Sequence, residues 1–228
     1  MEINKKLTKV NFQDKNSTKR IKYIVIHYVG ATGGAKANAD YFYSTYRGVS
    51  AHYFVGHKGE IWQVVDDADV AWHCGTTGKY YHSTCRNSNS LGIEMCCRKD
   101  AKGNWYFEEE TVKATIELVQ YLMKKYNIKI ENVLRHYDIT HKKCPEPYVN
   151  EAKWMNFKNQ ITATNKIEVG DKVKLTSGAT YYDGKSIPLW VKATTLYVRS
   201  MNGDRVVVST QRSGAITGAV HKKYLKEV

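Results

Sequence analysis

The 228-residue sequence has no long apolar run, and its first twenty residues are polar and lysine-rich. That start lacks the apolar stretch of a secretory signal, and nothing later is long enough to cross about 30 Å of hydrocarbon, so membrane insertion is not expected. A paired cysteine framework is also missing. Five cysteines, an odd number, argue against a disulfide scaffold, and Cys74, Cys85, Cys96 and Cys97 read as reduced structural side chains of a protein made in a reducing cytoplasm. Acidic groups are scarce, 22 against 35 Lys and Arg, for a formal net charge of +13. A basic balance suits nucleic acid or an acidic wall polymer without choosing between them. The lysines are scattered and no nucleic-acid motif is present, so a nucleic-acid partner is not expected. No internal repeat or low-complexity tract is evident.

What is there divides in two. Lys22–His27 and Leu91–Cys97 are β-rich apolar runs of the kind a sheet covered by helices requires. Ser50–Gly56 and Glu60–Val65 flank a His-Lys-Gly turn and predict a hairpin. Glu108–Tyr126 has acids in its first turn, lysines in its last and apolar residues at helical spacing, which predicts a covering helix. Weaker helices are expected over Gly33–Tyr46 and Tyr148–Asn159, and a strand over Ile128–Leu134. Met1–Arg20 reads as a polar lead-in and Asp100–Trp105 as a loop. The fold class is α/β, a central β-sheet flanked by helices over residues 1–160. A polar linker at 161–165 follows, and then a small all-β barrel at 166–228. In that last part short β-like runs, Val169–Leu175, Leu196–Ser200, Arg205–Ser209 and Ala219–Leu225, are separated by glycines. Its Tyr181, Tyr182, Trp190 and Tyr197 are candidates either for stacking on a ligand or for the core.

The chemistry concentrates in Leu134–Pro145, LRHYDITHKKCP. An apolar run delivers His136 into an irregular, proline-bounded segment that returns Cys144 eight positions later, enough chain for both to reach one ion. A third donor, His27, ends the first strand beside a glycine turn, where a rigid sheet can hold a metal and leave one side open. Two histidines and one cysteine leave a fourth position of a tetrahedral Zn2+ for water, the pattern of a catalytic site. The plainer alternative is a hydrogen-bonded surface histidine and a small buried thiol. A second metal group from His73, Cys74, His82 and Cys85 is a further alternative, against which stands the adjacency of His73 and Cys74. Glu94 interrupts the apolar LGIEMCC run. Either that strand turns a polar face to water, or the carboxylate faces a cleft where burying it has a chemical use.

The segments IVIHYVG, SAHYFVG, AWHCG, LGIEMC and RHYDITHKKCP, in that order across residues 20–158, resemble the zinc-dependent N-acetylmuramoyl-L-alanine amidases. That family takes in phage lysozymes, many endolysins and the peptidoglycan recognition proteins. The resemblance implies a mixed sheet with flanking helices and one Zn2+ on His27, His136 and Cys144. It implies Glu94 and Lys142 as catalytic groups and His73 as a residue of the substrate groove. His52 lies where the family has a histidine near the active centre that is not a ligand. Ala51 stands where some members carry a catalytic tyrosine, so tyrosine assistance is not expected. The implied reaction is hydrolysis of the amide between N-acetylmuramic acid and the L-alanine of the stem peptide. The alternative is a non-catalytic peptidoglycan-binding protein, and Cys144, typically absent from non-hydrolysing relatives, speaks against it. The segments VGDKVKL, SIPLWVKATTLYVRS and VHKKYL resemble bacterial SH3-like wall-binding domains, which implies a cell-wall polymer as the partner of residues 166–228. A phage endolysin or bacterial autolysin of this kind, without a signal peptide, would reach the wall after lysis, through a holin, or by non-classical export.

Overall fold

In the computed structural model, which describes residues 1–162 and 167–227, the chain separates into two units, Met1–Thr162 and Ala163–Val228. The first contains β1 (Ile3–Lys5), β2 (Tyr23–Tyr28), α1 (Ala35–Tyr43), β3 (Tyr53–Val55), β4 (Ile61–Gln63) and β5 (Ser90–Met95). A hairpin of β6 (Arg98–Lys99) and β7 (Trp105–Tyr106) comes next, then α2 (Glu109–Tyr126), β8 (Val133–Arg135), α3 (His136–Thr140) and α4 (Glu151–Thr162). Six strands form one mixed sheet in the order β1-β4-β3-β5-β2-β8, antiparallel only between β3 and β4. Among the described residues no helix is long and apolar enough to cross a membrane.

The alternation of strand side chains separates structure from chemistry. On β2 and β5, Ile24, Ile26, Leu91, Ile93 and Met95 share one face and pack with Leu118, Val119 and Leu122 of α2 and with Trp154, Phe157 and Ile161 of α4. Each such buried aliphatic or aromatic side chain contributes about 1.5–3 kcal/mol. Val25, His27, Gly92 and Glu94 fall on the opposite face by the same period of two. α2 keeps Glu109 and Glu110 in its first turn and Lys124 and Lys125 in its last, and it ends at Asn127 in the left-handed region (φ 52°).

Several sequence expectations need correction. The N-terminal stretch is not only a lead-in. Ile3–Lys5 pairs parallel with β4, and the buried Asn11 donates to the carbonyls of Phe42 and Thr45 (both 2.8 Å). Backbone and amide bonds hold this segment, so no apolar periodicity announces it. The strand expected at Ile128–Leu134 is interrupted by a 3₁₀ turn, Ile130–Asn132, and only Val133–Arg135 pairs with β2. The predicted loop at Asp100–Trp105 is the turn of the β6–β7 hairpin, with Trp105 already in β7. Of the linker expected at 161–165, Ile161 and Thr162 complete α4; residues 163–165, and Lys166 beyond them, lie outside the described residues.

The second unit holds β9 (Lys172–Leu175), α5 (Leu189–Ala193), β10 (Leu196–Asn202), β11 (Arg205–Ser209), β12 (Gly218–His221) and β13 (Leu225–Glu227). The strands form an antiparallel sheet ordered β12-β11-β10-β9-β13 over a core that includes Val173, Val191, Leu196, Val198, Val206 and Val220. The run expected at Ala219–Leu225 is two strands on opposite edges. They are separated by a 3₁₀ turn in which His221 Nδ1 accepts from the Lys223 N–H (3.2 Å). Of the four aromatic candidates, Tyr181 packs against the core, whereas Tyr182 and Trp190 are exposed.

Asp67, 4% exposed, ties the first unit together. Its carboxylate accepts from Tyr53 (2.5 Å), Tyr126 (2.5 Å), Lys125 (3.0 Å) and Gln63 (3.2 Å). Burial pushes its pKa up, but the bonds from Tyr126, Tyr53 and Lys125 outweigh burial and hold it below the ordinary carboxylate value. The unfolded chain therefore binds more protons than the folded one in the acid range. This contribution is complete above the unfolded pKa of about 3.9 and is lost as pH falls through the folded value. Replacing the carboxylate, Asp67→Asn, should lower stability by about 1–3 kcal/mol at neutral pH. In urea titrations the gap between parent and variant should shrink at acid pH, and an equal gap at both pH values would refute this role.

Candidate functional site

The opposite face of β2 and β5 opens into a cavity of about 610 Å³ whose lining includes His27, Glu94, His136, Lys142 and Cys144. β2 and β5 run parallel with His27 opposite Glu94, so both side chains leave the sheet on the cavity side. His136 follows β8 directly, at the strand end expected for it, but it is the first residue of α3, so the segment expected to be irregular opens with a short helix. Asp138 caps this one-and-a-half-turn helix by accepting from the Arg135 N–H (2.7 Å), while Arg135 in turn pairs with Asp138 and Glu151. The helix stops at His141, in the left-handed region (φ 59°) and stacked on Tyr81. The chain then doubles back until the Tyr137 N–H donates to the Cys144 carbonyl (2.8 Å). That bond returns the thiol to the start of the helix, beside His136.

One donor atom from each of His27, His136 and Cys144 lies within 4.8 Å of the others, and all three residues are buried. Cys144 Sγ is 3.5 Å from His27 Nδ1. Burial holds the His27 imidazole well below its usual pKa, and burial followed by the charge of Lys142 brings His136 to about 4. Both rings are therefore neutral, the form that ligates metal. Among the described residues, neither ring nitrogen of His136 makes a hydrogen bond of good geometry and Glu94 Oε2 has no partner, although all three atoms are buried. Orphaned polar atoms of this kind need a reason, and a cation among two imidazoles, a thiol and a carboxylate supplies one. Burial lifts Glu94 to about 7 against an opposing pull from Lys142, and burial and then Glu94 lift the Cys144 thiol to about 12. The residues fit a metal ion of the zinc type.

Tyr41, Phe42, Phe54 and Trp72 contribute aromatic faces to the wall, beside smaller apolar residues such as Val29 and Val49. Phe42 stacks on Phe54 (5.5 Å), so it serves core and cavity together, while Tyr41 is half exposed at the rim. Residues 17–147 match the profile of the family described as N-acetylmuramoyl-L-alanine amidase. The chain belongs to this amidase family.

Similar proteins include a probable N-acetylmuramoyl-L-alanine amidase of Bacillus licheniformis, 36% identical over 154 residues that make up 63% of this chain and 42% of that protein. The amidase CwlL of the same species is 32% identical over 199 residues, 82% of this chain and 53% of its own length. The chain thus spans about half the length of these relatives. Among solved structures, the catalytic domain of XlyA matches with a TM-score of 0.57 at 26% identity, covering 71% of this chain and 99% of that one. A mutant endolysin from Bacillus subtilis matches with a TM-score of 0.58 at 28% identity and the same coverage.

Against this amidase frame, His27, Glu94, His136, Lys142 and Cys144 converge on the cavity, and His73 forms part of its wall with both ring nitrogens engaged by the protein. His52 is buried away from the opening. Burial lowers its pKa to about 4, and its Nδ1 accepts from the Gly92 N–H (3.0 Å). The second metal group is not formed. His27, His136 and Cys144 are the only such donor cluster among the described residues, and His82 Nδ1 instead accepts from the N–H groups of Thr84 and Cys85. Sequence reasoning passed over Asn87, whose Oδ1 accepts from the N–H groups of His73 and Cys74 (3.0 and 2.7 Å), and it passed over Gly92. The signal was present in the alternation of small or polar Ser90, Gly92 and Glu94 with Leu91, Ile93 and Met95.

Gly92 is where the sheet lets the His73 ring lie against its backbone: a Cβ there would fall 2.5 Å from His73 Cγ. Overpacking of this kind costs about 1–3 kcal/mol. Gly92→Ala should lower Tm by about 3–10 °C; an unchanged melting curve would show that the ring has room to move.

Proposed function

We propose that the protein hydrolyses the amide joining the lactyl group of N-acetylmuramic acid to the L-alanine of the stem peptide in bacterial peptidoglycan, with one Zn2+ held by His27, His136 and Cys144. The observation that carries this reading is the convergence of those three donors with Glu94 and Lys142 in one cavity. A bound Zn2+ supplies Lewis acidity, which polarises an amide carbonyl and brings the pKa of water to about 7.

The chain's own groups handle the protons and the charge. Glu94, with a pKa near 7 and Oε2 free of partners, is suited to take a proton from the attacking water and deliver it to the departing nitrogen. Lys142 lines the same cavity, and its charge acts on His27, His136, Glu94 and Cys144 alike. Its ammonium is placed to donate to the carbonyl oxygen as negative charge develops there. Trp72, Phe42 and Tyr41 offer apolar faces for a sugar ring and exclude water. The resemblance of the second unit to SH3-like domains supports its reading as a wall-binding module whose sheet closes into a small barrel. There, Tyr181, Tyr182, Lys185 and Arg205 line a separate cavity of about 480 Å³.

Digestion of purified walls followed by mass spectrometry should release stem peptides with a free L-alanine amino terminus. Cut glycan strands or cut peptide bridges in their place would overturn the assignment, and intact walls would point to a binding protein. Glu94→Gln should keep its zinc and lose about 10²–10⁴-fold in kcat. Cys144→Ser should lose tight zinc in equilibrium dialysis. A Glu94→Gln protein of full activity would remove the carboxylate from the mechanism.

A further inference from the structure

The cavity wall contains a directed chain of hydrogen bonds that ends on the first of the three donors. His27 Nε2 is 3.0 Å from His73 Nδ1, with the two rings nearly perpendicular (87°). His73 Nε2 is 3.1 Å from Ser90 Oγ, and Ser90 Oγ is 2.7 Å from the Arg86 carbonyl oxygen. All three side chains are buried, so water does not compete for these bonds.

The far end fixes the direction. A carbonyl oxygen only accepts, so the Ser90 hydroxyl proton lies toward Arg86. Ser90 Oγ then has only lone pairs for His73, and His73 must carry its proton on Nε2. The Nδ1 of His73 is consequently bare, and it accepts from a proton on Nε2 of His27. That leaves His27 Nδ1 unprotonated, the nitrogen that faces Cys144 Sγ at 3.5 Å. Any other arrangement sets two lone pairs or two protons against each other inside a buried chain, at a cost typical of an unmade buried hydrogen bond. The backbone of His73 is itself held, through its N–H, by Asn87 Oδ1 (3.0 Å).

We infer that Arg86, Ser90 and His73 form a tautomer-setting relay that presents His27 Nδ1 to the metal, which makes His73 and Ser90 positioning residues for the first ligand. This rests on the zinc reading above for its purpose, whereas the tautomer it dictates belongs to the protein without metal. The inference also gives His73 a task distinct from contacting substrate. Imidazole ligands whose second nitrogen is fixed by a partner hold metal more tightly, and loss of the partner typically weakens binding about 10–100-fold.

The test uses the full chain. In the zinc-free protein at neutral pH, long-range ¹⁵N–¹H correlation spectra of the histidine rings should show His27 as the Nε2–H tautomer. In Ser90→Ala and His73→Ala that preference should weaken or vanish. Zinc affinity, measured by competition with a chelating dye, should fall about 10–100-fold in His73→Ala. It should recover to within a few-fold of the parent in His73→Gln, whose amide accepts at oxygen and donates at nitrogen. A His27 proton on Nδ1 in the parent, or a well-folded His73→Ala that binds zinc as tightly as the parent, overturns the relay. A parent that shows the Nε2–H tautomer yet binds no zinc leaves the relay standing and removes the zinc reading.

Discussion

Everything in the first unit depends on the in-register parallel pairing of β2 with β5. Because Ile24 and Ile26 share a face with Leu91, Ile93 and Met95, the helices α2 and α4 can seal that side as a continuous apolar layer. The same register forces His27 and Glu94 out on the other side as direct neighbours. A slip of one residue in either strand would bury that strand's imidazole or carboxylate under α2 and turn its aliphatic side chains to the cavity. Core stability and site geometry are therefore one constraint. The two central strands cannot shift to improve one without spoiling the other.

Around that pair, polar groups inside the protein fall into two kinds. Some are fully satisfied and hold elements in place: the Asp67 carboxylate with four donors, Asn11 beneath α1, Asn87 under the His73 loop and Asp138 at the start of α3. Others are buried without a good hydrogen bond among the described residues: both ring nitrogens of His136 and Oε2 of Glu94, on residues that line the cavity, and, elsewhere, Arg20 Nε and His57 Nδ1. Each such atom calls for an explanation, and at the cavity a cation supplies one. Three of the five unmet side-chain atoms among the described residues belong to the cavity-lining His136 and Glu94, and that concentration sets this corner apart.

The sequence disclosed the strongly periodic parts and hid those held by single polar bonds. α2 was legible because eighteen residues carry its apolar stripe with charges matched to both ends. β2 and β5 were legible as apolar runs, and Glu94 stood out because a carboxylate has no place in such a run without a use. α3 was not legible. Five residues give no periodicity, and what starts the helix is Asp138 accepting from the Arg135 backbone. β1 escaped because a three-residue edge strand carries one apolar anchor, Ile3. The converging set of two histidines and a cysteine could be named from residue type and spacing. The bond from Tyr137 to the Cys144 carbonyl that closes the segment could not. His73 was recognised by family resemblance as a groove residue. Its link to His27 depends on Gly92 leaving space for the ring, a close approach that no one-dimensional pattern encodes.

The central claim is that one zinc ion meets two imidazoles and one sulfur contributed by two distant parts of the chain. X-ray absorption at the zinc edge of the purified protein tests it most directly. The account predicts one zinc per chain with a first shell of two nitrogens, one sulfur and one further light atom. A first shell without sulfur, or a protein that retains no zinc, would contradict it.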